Sequence, residues 1–244
     1  MLSRLLLSIL PIAGIVLSAS QGISNNATTY DYIIVGSGPA GIVMADRLSE
    51  TGKKVLLIER GGPSTAATGG TDVPPWASAT HLTRFDIPAI YQSMYAFTGQ
   101  YWWCNDITTR AGCLVGGGTA INGILYWYPT DFEYSTSNGW PNGWQSVSPY
   151  LNKVRARLPS TDNPSEDGKR YLNQVYDVMG SILKNQGYKA IVANDQRNNK
   201  DHVYTHTNYY IQDGKRTGPM DTYLQTAKSR SNFKLVTYTN VIAV

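Results

Sequence analysis

The segment from Tyr32 to Glu59 constrains this chain more than any other. Tyr32-Ile33-Ile34-Val35 is an unbroken apolar run closed by Gly36, the pattern of a strand buried on both faces of a parallel sheet. Gly41 to Glu50 has helical spacing, with Ala45 and Leu48 facing inward and Gly52 as the stop. Val55-Leu56-Leu57-Ile58 is a second apolar strand, ending at Glu59. A strand, a helix and a strand in about thirty residues make the smallest unit that joins parallel strands. The fold class that follows is α/β, with a Rossmann-like core.

The turn inside that unit, Gly36-Ser37-Gly38-Pro39-Ala40-Gly41, carries chemistry. Gly36 permits the tight turn, Gly38 lets backbone approach a pyrophosphate, and Gly41 allows close packing of helix on strand. The helix that starts here aims unpaired N–H groups and its positive dipole end at a phosphate. Glu59, at the end of the second strand, can accept hydrogen bonds from ribose hydroxyls and would repel a 2′-phosphate, which argues against NADP. The bland alternative is a tight turn that binds no nucleotide.

A second cluster, Gly112-Cys113-Leu114-Val115-Gly116-Gly117-Gly118-Thr119-Ala120-Ile121-Asn122-Gly123, separates FAD from NAD. Three successive glycines leave backbone free to lie flat against a ligand. Asn122 can donate and accept beside a planar heterocycle. Between the clusters, Gly61 to Gly118 is irregular, and a loop of that length is expected to wrap a ligand.

Further along, Tyr126 to Trp144 is aromatic and rich in turns, and Leu158 to Pro164 is a loop. A helix is predicted over Tyr171 to Leu183, with Leu172, Val175, Met179 and Leu183 on its inner face. Asn194 to Asp201 reads as a flexible polar connection. Gly214 to Pro219 forms a turn before a helix near Asp221 to Ala227. Phe233 to Tyr238 and Val241 to Val244 are β-rich, and a chain that stops inside an apolar strand looks incomplete.

The first twenty residues have the order of a secretory signal peptide: Arg4, the apolar stretch Leu5 to Leu17, then Ser18-Ala19-Ser20. The apolar stretch is shorter than the ~20 residues a spanning helix needs. The organisation expected is therefore a signal at 1–20, a linker at 21–29 and the folded region at 30–244. Secretion would make Asn26-Ala27-Thr28 a glycosylation acceptor and is compatible with a disulfide between Cys104 and Cys113, with two small buried thiols as the open alternative. The net charge of +4 is dispersed, so neither nucleic acid nor, after signal cleavage, a membrane is indicated as partner. His81, His202 and His206 have no zinc-site spacing. Most of the 17 tyrosines and six tryptophans are expected to be buried with bonded polar tips.

The stretch Gly112 to Ser135, with Asn122, Tyr126 and Pro129, resembles the first signature of the glucose–methanol–choline (GMC) oxidoreductases. More narrowly, residues 30–244 are similar to the flavin domain of fungal cellobiose dehydrogenases. That similarity rests on Trp102-Trp103-Cys104, Leu125 to Pro129, Leu158 to Asp162, Lys200 to Val203 and Gly214 to Ala227. It implies a Rossmann-like FAD-binding fold that is incomplete at the C-terminus and includes the start of an α+β substrate domain. Gly36, Ser37, Gly38, Pro39, Ala40, Gly41, Glu59 and Arg60 would hold the ADP half of FAD. Gly112, Val115, Gly116, Gly117, Gly118, Thr119, Asn122 and Gly123 would run along its flavin half, and the Val241 backbone would face the adenine.

The activity implied is a secreted FAD-dependent oxidation of CH–OH donors, with a carbohydrate of the cellobiose type as donor. Hydride would pass to flavin N5, and electrons onward to a quinone, oxygen or a redox protein. Trp102, Trp103 and Trp127 are candidates to stack on sugar rings. The resemblance breaks in two places. Only about ten residues separate the expected cleavage site from Tyr30, so the haem domain that often precedes the flavin domain is not expected here. The His that takes the hydroxyl proton in this family comes from a later segment, and none of the three histidines here matches it, so no catalytic residue is assigned. The competing expectation is a truncated, inactive FAD-binding fragment. A disulfide reductase is disfavoured, because Cys104 and Cys113 are not a close redox pair at the flavin.

Overall fold

The computed structural model describes residues 28–96 and 99–243. The signal at 1–20, most of the 21–29 linker, Asn26 of the glycosylation acceptor and Val244 lie outside the described residues.

The strand–helix–strand unit forms as its sequence dictates. β1 (Tyr32–Val35) leads through the glycine turn into α1 (Pro39–Glu50), and β2 (Val55–Ile58) follows. Helix α1 starts two residues earlier than the spacing predicts. Pro39 occupies its first position, where a missing N–H is harmless, and Gly52 past its end has φ +82°. The irregular stretch after β2 holds short 3₁₀ turns and the helices α2 (Tyr91–Ala96) and α3 (Gly118–Ile121). Then come α4 (Ser148–Arg157), α5 (Gln174–Asn185), the paired strands β3 (Lys189–Ala190) and β4 (Val203–Tyr204), and a hairpin of β5 (Ile211–Gln212) and β6 (Lys215–Arg216). Helix α6 (Tyr223–Lys228) and strand β7 (Phe233–Val236) follow.

The main sheet is parallel, in the order β1-β2-β7, with Tyr32 beside Val55 and Val55 beside Phe233. Helices α1 and α6 pack together on the face that carries Ile34, Val55 and Leu57. The central strand β2 is the more deeply buried, with Val55 and Leu57 inaccessible. The expectation that β1 is buried on both faces is corrected: Ile33 is 61% and Val35 57% exposed. β1 is an edge strand, and among the described residues no helix covers its second face.

Three other expectations also change. Most of the predicted inner face of α5 points outward: Val175 and Met179 are exposed, Leu183 is half-buried, and Leu172 lies before the helix with φ +52°. The helix docks instead through Gly180, which lies against the Tyr204 ring. Residues 194–201 are not a loose connection. The buried Asn194 accepts from the Tyr128 N–H and donates to the Tyr126 carbonyl and Ser160 Oγ, while Arg197 bonds Asp131 and the Pro129 carbonyl. Residues 241–243 form no strand, since no neighbour pairs with them.

Cys104 and Cys113 are joined by a disulfide. Backbone bonds from Cys104 to Ala111 and from Cys113 to Trp102 close the same short loop. Trp102 and Trp103 are 2% and 7% exposed, and Trp102 packs edge-on to Phe85. They are core residues, so the sugar-stacking role expected of them is withdrawn. Trp127 alone of the three is open to solvent.

Asp46 ties the layers together. It is fully buried on α1 and accepts at 2.8 Å from Arg157 of α4 and at 2.8 Å from Arg230, in the turn before β7. Arg157 also stacks 3.9 Å from the Tyr223 ring centroid. Removing one member of a buried ionic group leaves the others unpaired, at a cost of roughly 3–5 kcal/mol. Asp46→Ala is therefore expected to lower the unfolding free energy by that order, read as a lower urea midpoint at an unchanged slope, and Asp46→Asn by less. Equal midpoints for wild type and Asp46→Ala would show that the triad holds nothing together.

Candidate functional site

The carboxyl ends of β1 and β2 open onto a cleft of about 580 Å³, the usual place for a ligand in a parallel α/β sheet. One wall is the first glycine turn, with Val35, Gly36 and Gly38. The floor is Ile58, Glu59 and Arg60. The opposite wall comes from Arg110, Ala111 and Gly112 with Gly117 and Gly118, and residues 239–241 close the end.

The two glycine clusters, distant in sequence, touch here. The Gly116 N–H donates to the Ser37 carbonyl at 2.9 Å. A Cβ on Gly117 would stand 3.1 Å from the Gly38 Cα, and Gly117 has φ +51°. A side chain there would both strain the backbone and push the two turns apart. Behind the first turn, a Cβ on Gly41 would collide with the Gly36 carbonyl oxygen. The second cluster also runs beside the segment after β2, where the Val115 N–H donates to the Gly62 carbonyl and Ser64 Oγ to the Val115 carbonyl.

Glu59 has a firmer local role than sequence reasoning assigned. Its carboxylate accepts from the Ser37 N–H, Ser37 Oγ and the Gly61 N–H, each at 2.8 Å, and the residue is 5% exposed. It clamps the glycine turn to the end of β2. A carboxylate offers about four acceptor positions, so one remains for a ribose hydroxyl.

The predicted site residues divide by position. Gly36, Gly38, Glu59, Arg60, Gly112, Gly117, Gly118 and Val241 line the cleft. Ser37, Val115 and Gly116 are buried behind it, and Gly41 packs there too; Pro39 and Ala40 are exposed on the first turn of α1. Thr119, Asn122 and Gly123 do not line this cleft. Thr119 Oγ1 bonds the Gly116 carbonyl, Gly123 lies against the Tyr91 ring, and the Asn122 amide faces Tyr210 and Arg216. Arg110, Ala111, Thr239 and Asn240 line the cleft without having been anticipated. The cysteine pair brackets Arg110 and was the one sequence signal for it. Thr239 arrives because β7 joins β2 in parallel and its N–H reaches the Glu59 carbonyl at 3.0 Å.

Residues 30–244 match the sequence profile described as GMC oxidoreductase. The chain belongs to the GMC oxidoreductase family. An oxygen-dependent choline dehydrogenase of Vibrio vulnificus is 30% identical over 226 residues, which cover 85% of this chain and 38% of that protein. A solved FAD-dependent oxidoreductase from Chaetomium thermophilum aligns with TM-score 0.61 at 17% identity, over 85% of this chain and 38% of that one. A pyridoxine 4-oxidase structure from Mesorbium loti aligns with TM-score 0.58 at 19% identity, over 86% of this chain and 42% of that one. This GMC chain thus spans about two fifths of the length of each relative.

FAD is the family's cofactor, and the cleft of this GMC oxidoreductase fits it. No atom lies within 4 Å of where a Gly38 Cβ would be, apart from its chain neighbours, so backbone borders open space. The N-cap of α1 is that glycine, without a side chain to occupy the first-turn N–H groups. Arg60 and Arg110 put cationic groups at the rim, suited to a pyrophosphate. Arg60 also pairs with Asp106 at 2.7 Å, and that bond lowers the Asp106 pKa.

Behind α3 lies a perturbed acid, Asp221. Burial and then the neighbouring Asp86 charge raise its pKa from 3.8 to about 7, against smaller opposing effects of Thr65, Arg216 and Lys215. A folded pKa above the unfolded one means the native state binds the proton more tightly. Stability should therefore fall as pH rises from about 4 to about 7, and Asp221→Asn should flatten that slope. Urea midpoints at pH 5, 6 and 7.5 test this; identical slopes in the two proteins would contradict it.

The two glycines of the first turn should separate by phenotype. Gly38→Val is expected to leave thermal unfolding within a few degrees of wild type but to abolish FAD uptake, because its side chain enters the cleft. Gly41→Ala is expected to lower the melting temperature, because helix and strand must move apart. Melting curves with and without FAD check both.

Proposed function

We propose that residues 30–244 form the FAD-gripping part of a GMC oxidoreductase that acts on CH–OH groups. On this reading the 244 residues alone bind FAD without oxidising a donor. The observation that carries it is the contact of Gly116 and Gly117 with Ser37 and Gly38, which makes one continuous backbone cleft from two distant segments. FAD, when bound, supplies a two-electron hydride acceptor. The chain's own residues supply grip: Glu59 fixes the turn, Arg60 and Arg110 face the phosphates, and Val241 borders the adenine end.

No histidine is among the cleft residues, and the one carboxylate there, Glu59, is already taken up by Ser37 and Gly61. His81 and His202 are exposed elsewhere, and His206 stacks on Tyr176 at 3.5 Å. Burial and Arg170 lower the His206 pKa, but that ring sits with Asp162 and Tyr176, outside the cleft. The absence of a cleft histidine, with the two-fifths span relative to full-length relatives, favours binding without turnover.

The donor proposed for the full activity is a carbohydrate of the cellobiose type, supported by the sequence similarity around Trp102, Leu125 to Pro129 and Gly214 to Ala227. The choline dehydrogenase relative makes choline the contrasting donor. Electrons would pass to a quinone, oxygen or a redox protein, and the signal-like residues 1–20 support secretion. The test is to load the purified chain with FAD, record its visible spectrum, and assay cellobiose and choline with a dye acceptor. Bound flavin without turnover is expected. Absence of bound flavin would overturn the site, and turnover would overturn the claim that the base lies elsewhere.

A further inference from the structure

The second glycine cluster is held from behind by a residue that no motif singled out. Arg216 of β6 is 1% exposed, and its guanidinium reaches the far end of α3. Nη1 donates to the Thr119 carbonyl at 3.0 Å and to Asn122 Oδ1 at 2.9 Å, and Nη2 donates to the Asn122 carbonyl at 2.8 Å. All three acceptors are neutral oxygens, and Asp221 acts on the guanidinium only through space. A buried cation bonded only to neutral oxygens is a costly way to fill a core. Its rigid planar fork fixes several acceptors at once, which an ammonium group does not do.

Neighbouring groups complete the bracket. The Tyr210 hydroxyl accepts from Asn122 Nδ2 at 2.7 Å and donates to Oδ1 at 3.0 Å. Asn122 Oδ1 also accepts the Ile124 N–H at 3.0 Å. Ile124 has φ +67°, a conformation that β-branched residues avoid. Such a turn persists only where its surroundings over-determine it, and Arg216, Asn122 and Tyr210 do so. Arg216 is itself fixed, since its N–H donates to the Asp86 carbonyl at 2.8 Å.

The other end of α3 is the cleft wall. Gly117 and Gly118 border the cleft, and α3 is only four residues long. At about 1.5 Å rise per residue, whatever orients Thr119 to Asn122 also orients Gly117 and Gly118. We propose that Arg216 is a positioning residue for FAD: through Thr119 and Asn122 it sets the glycine wall that faces the flavin half. This rests on the FAD reading above. It assigns Asn122 to the support of that wall, through its amide's bonds to Arg216 and Tyr210.

The test compares Arg216→Lys, Arg216→Met and Tyr210→Phe in the full chain. Fluorescence quenching gives FAD affinity, calorimetry gives ADP affinity, and hydrogen–deuterium exchange follows the amides of residues 117–124. Loss of the planar fork that holds the Thr119 and Asn122 oxygens together should weaken FAD by about tenfold to a hundredfold in both Arg216 variants, and loss of the Tyr210 hydroxyl by about threefold in Tyr210→Phe. ADP, which on the reading above meets the first turn, Arg60, Arg110 and Val241 but not the α3 wall, should change less than about twofold. Exchange should rise at 117–124 and stay unchanged in β1 and α1.

Equal losses of FAD and ADP affinity would reduce Arg216 to general structure and overturn the proposal. So would wild-type FAD affinity in Arg216→Lys. If the Arg216 variants do not fold, Tyr210→Phe decides by the same FAD-to-ADP ratio. If wild type binds neither nucleotide, the FAD reading fails on its own. Exchange at 117–124 then decides whether Arg216 holds the wall, with no rise overturning that claim.

Discussion

A single backbone contact organises this molecule: the Gly116 N–H on the Ser37 carbonyl, with Gly117 laid against Gly38. Neither segment borders a closed space alone. The first turn is fixed from below by Glu59, whose carboxylate takes three donors. The second is fixed from behind by Arg216 and from the side by Ser64. The cleft exists because both turns are held rigidly enough to meet without side chains between them. Binding sites gain affinity from such preorganisation, because less ordering remains to be done when the ligand arrives.

The same economy appears in the scaffold. Asp46, with Arg157 and Arg230, draws α4 and the turn before β7 onto α1. That places β7 beside β2 and so brings residues 239–241 to the cleft. The disulfide shortens the path from Trp103 to Gly112, which presents Arg110 and Ala111 on the opposite wall. Charges buried in pairs or against carbonyls are expensive, and here each lies between elements that must keep a fixed distance. The apolar faces left open, on β1 and on α5, belong to elements the described residues cover on one side only.

Local patterns were legible wherever the cause is local. Tyr32 to Val35 and Val55 to Ile58 form strands because each is a short apolar run bounded by turn or polar residues, and Phe233 to Val236 forms one within the β-rich stretch 233–238. Gly36 and Gly41 mark the turn and the helix packing because no other residue fits there. Periodicity shows that a helix has an apolar face but not what covers it, so it predicts Val175 and Met179 inward where they lie outward. The amide of Asn122 and its place in the family signature both point to a flavin contact, and its partners Tyr210 and Arg216 lie too far along the chain for any local signal. Residues 241–243 have strand-forming side chains, yet a strand needs a neighbour as well as propensity.

The central claim is that two distant glycine segments form one dinucleotide cleft. Selective ¹⁵N labelling of the 23 glycines allows both walls to be followed in one spectrum. Titration with ADP should shift Gly36 and Gly38 and leave Gly112, Gly117 and Gly118 nearly unmoved. Titration with FAD should shift both sets in proportion to the same binding curve. Shifts confined to one set with FAD, or two curves with different midpoints, would contradict a single shared site.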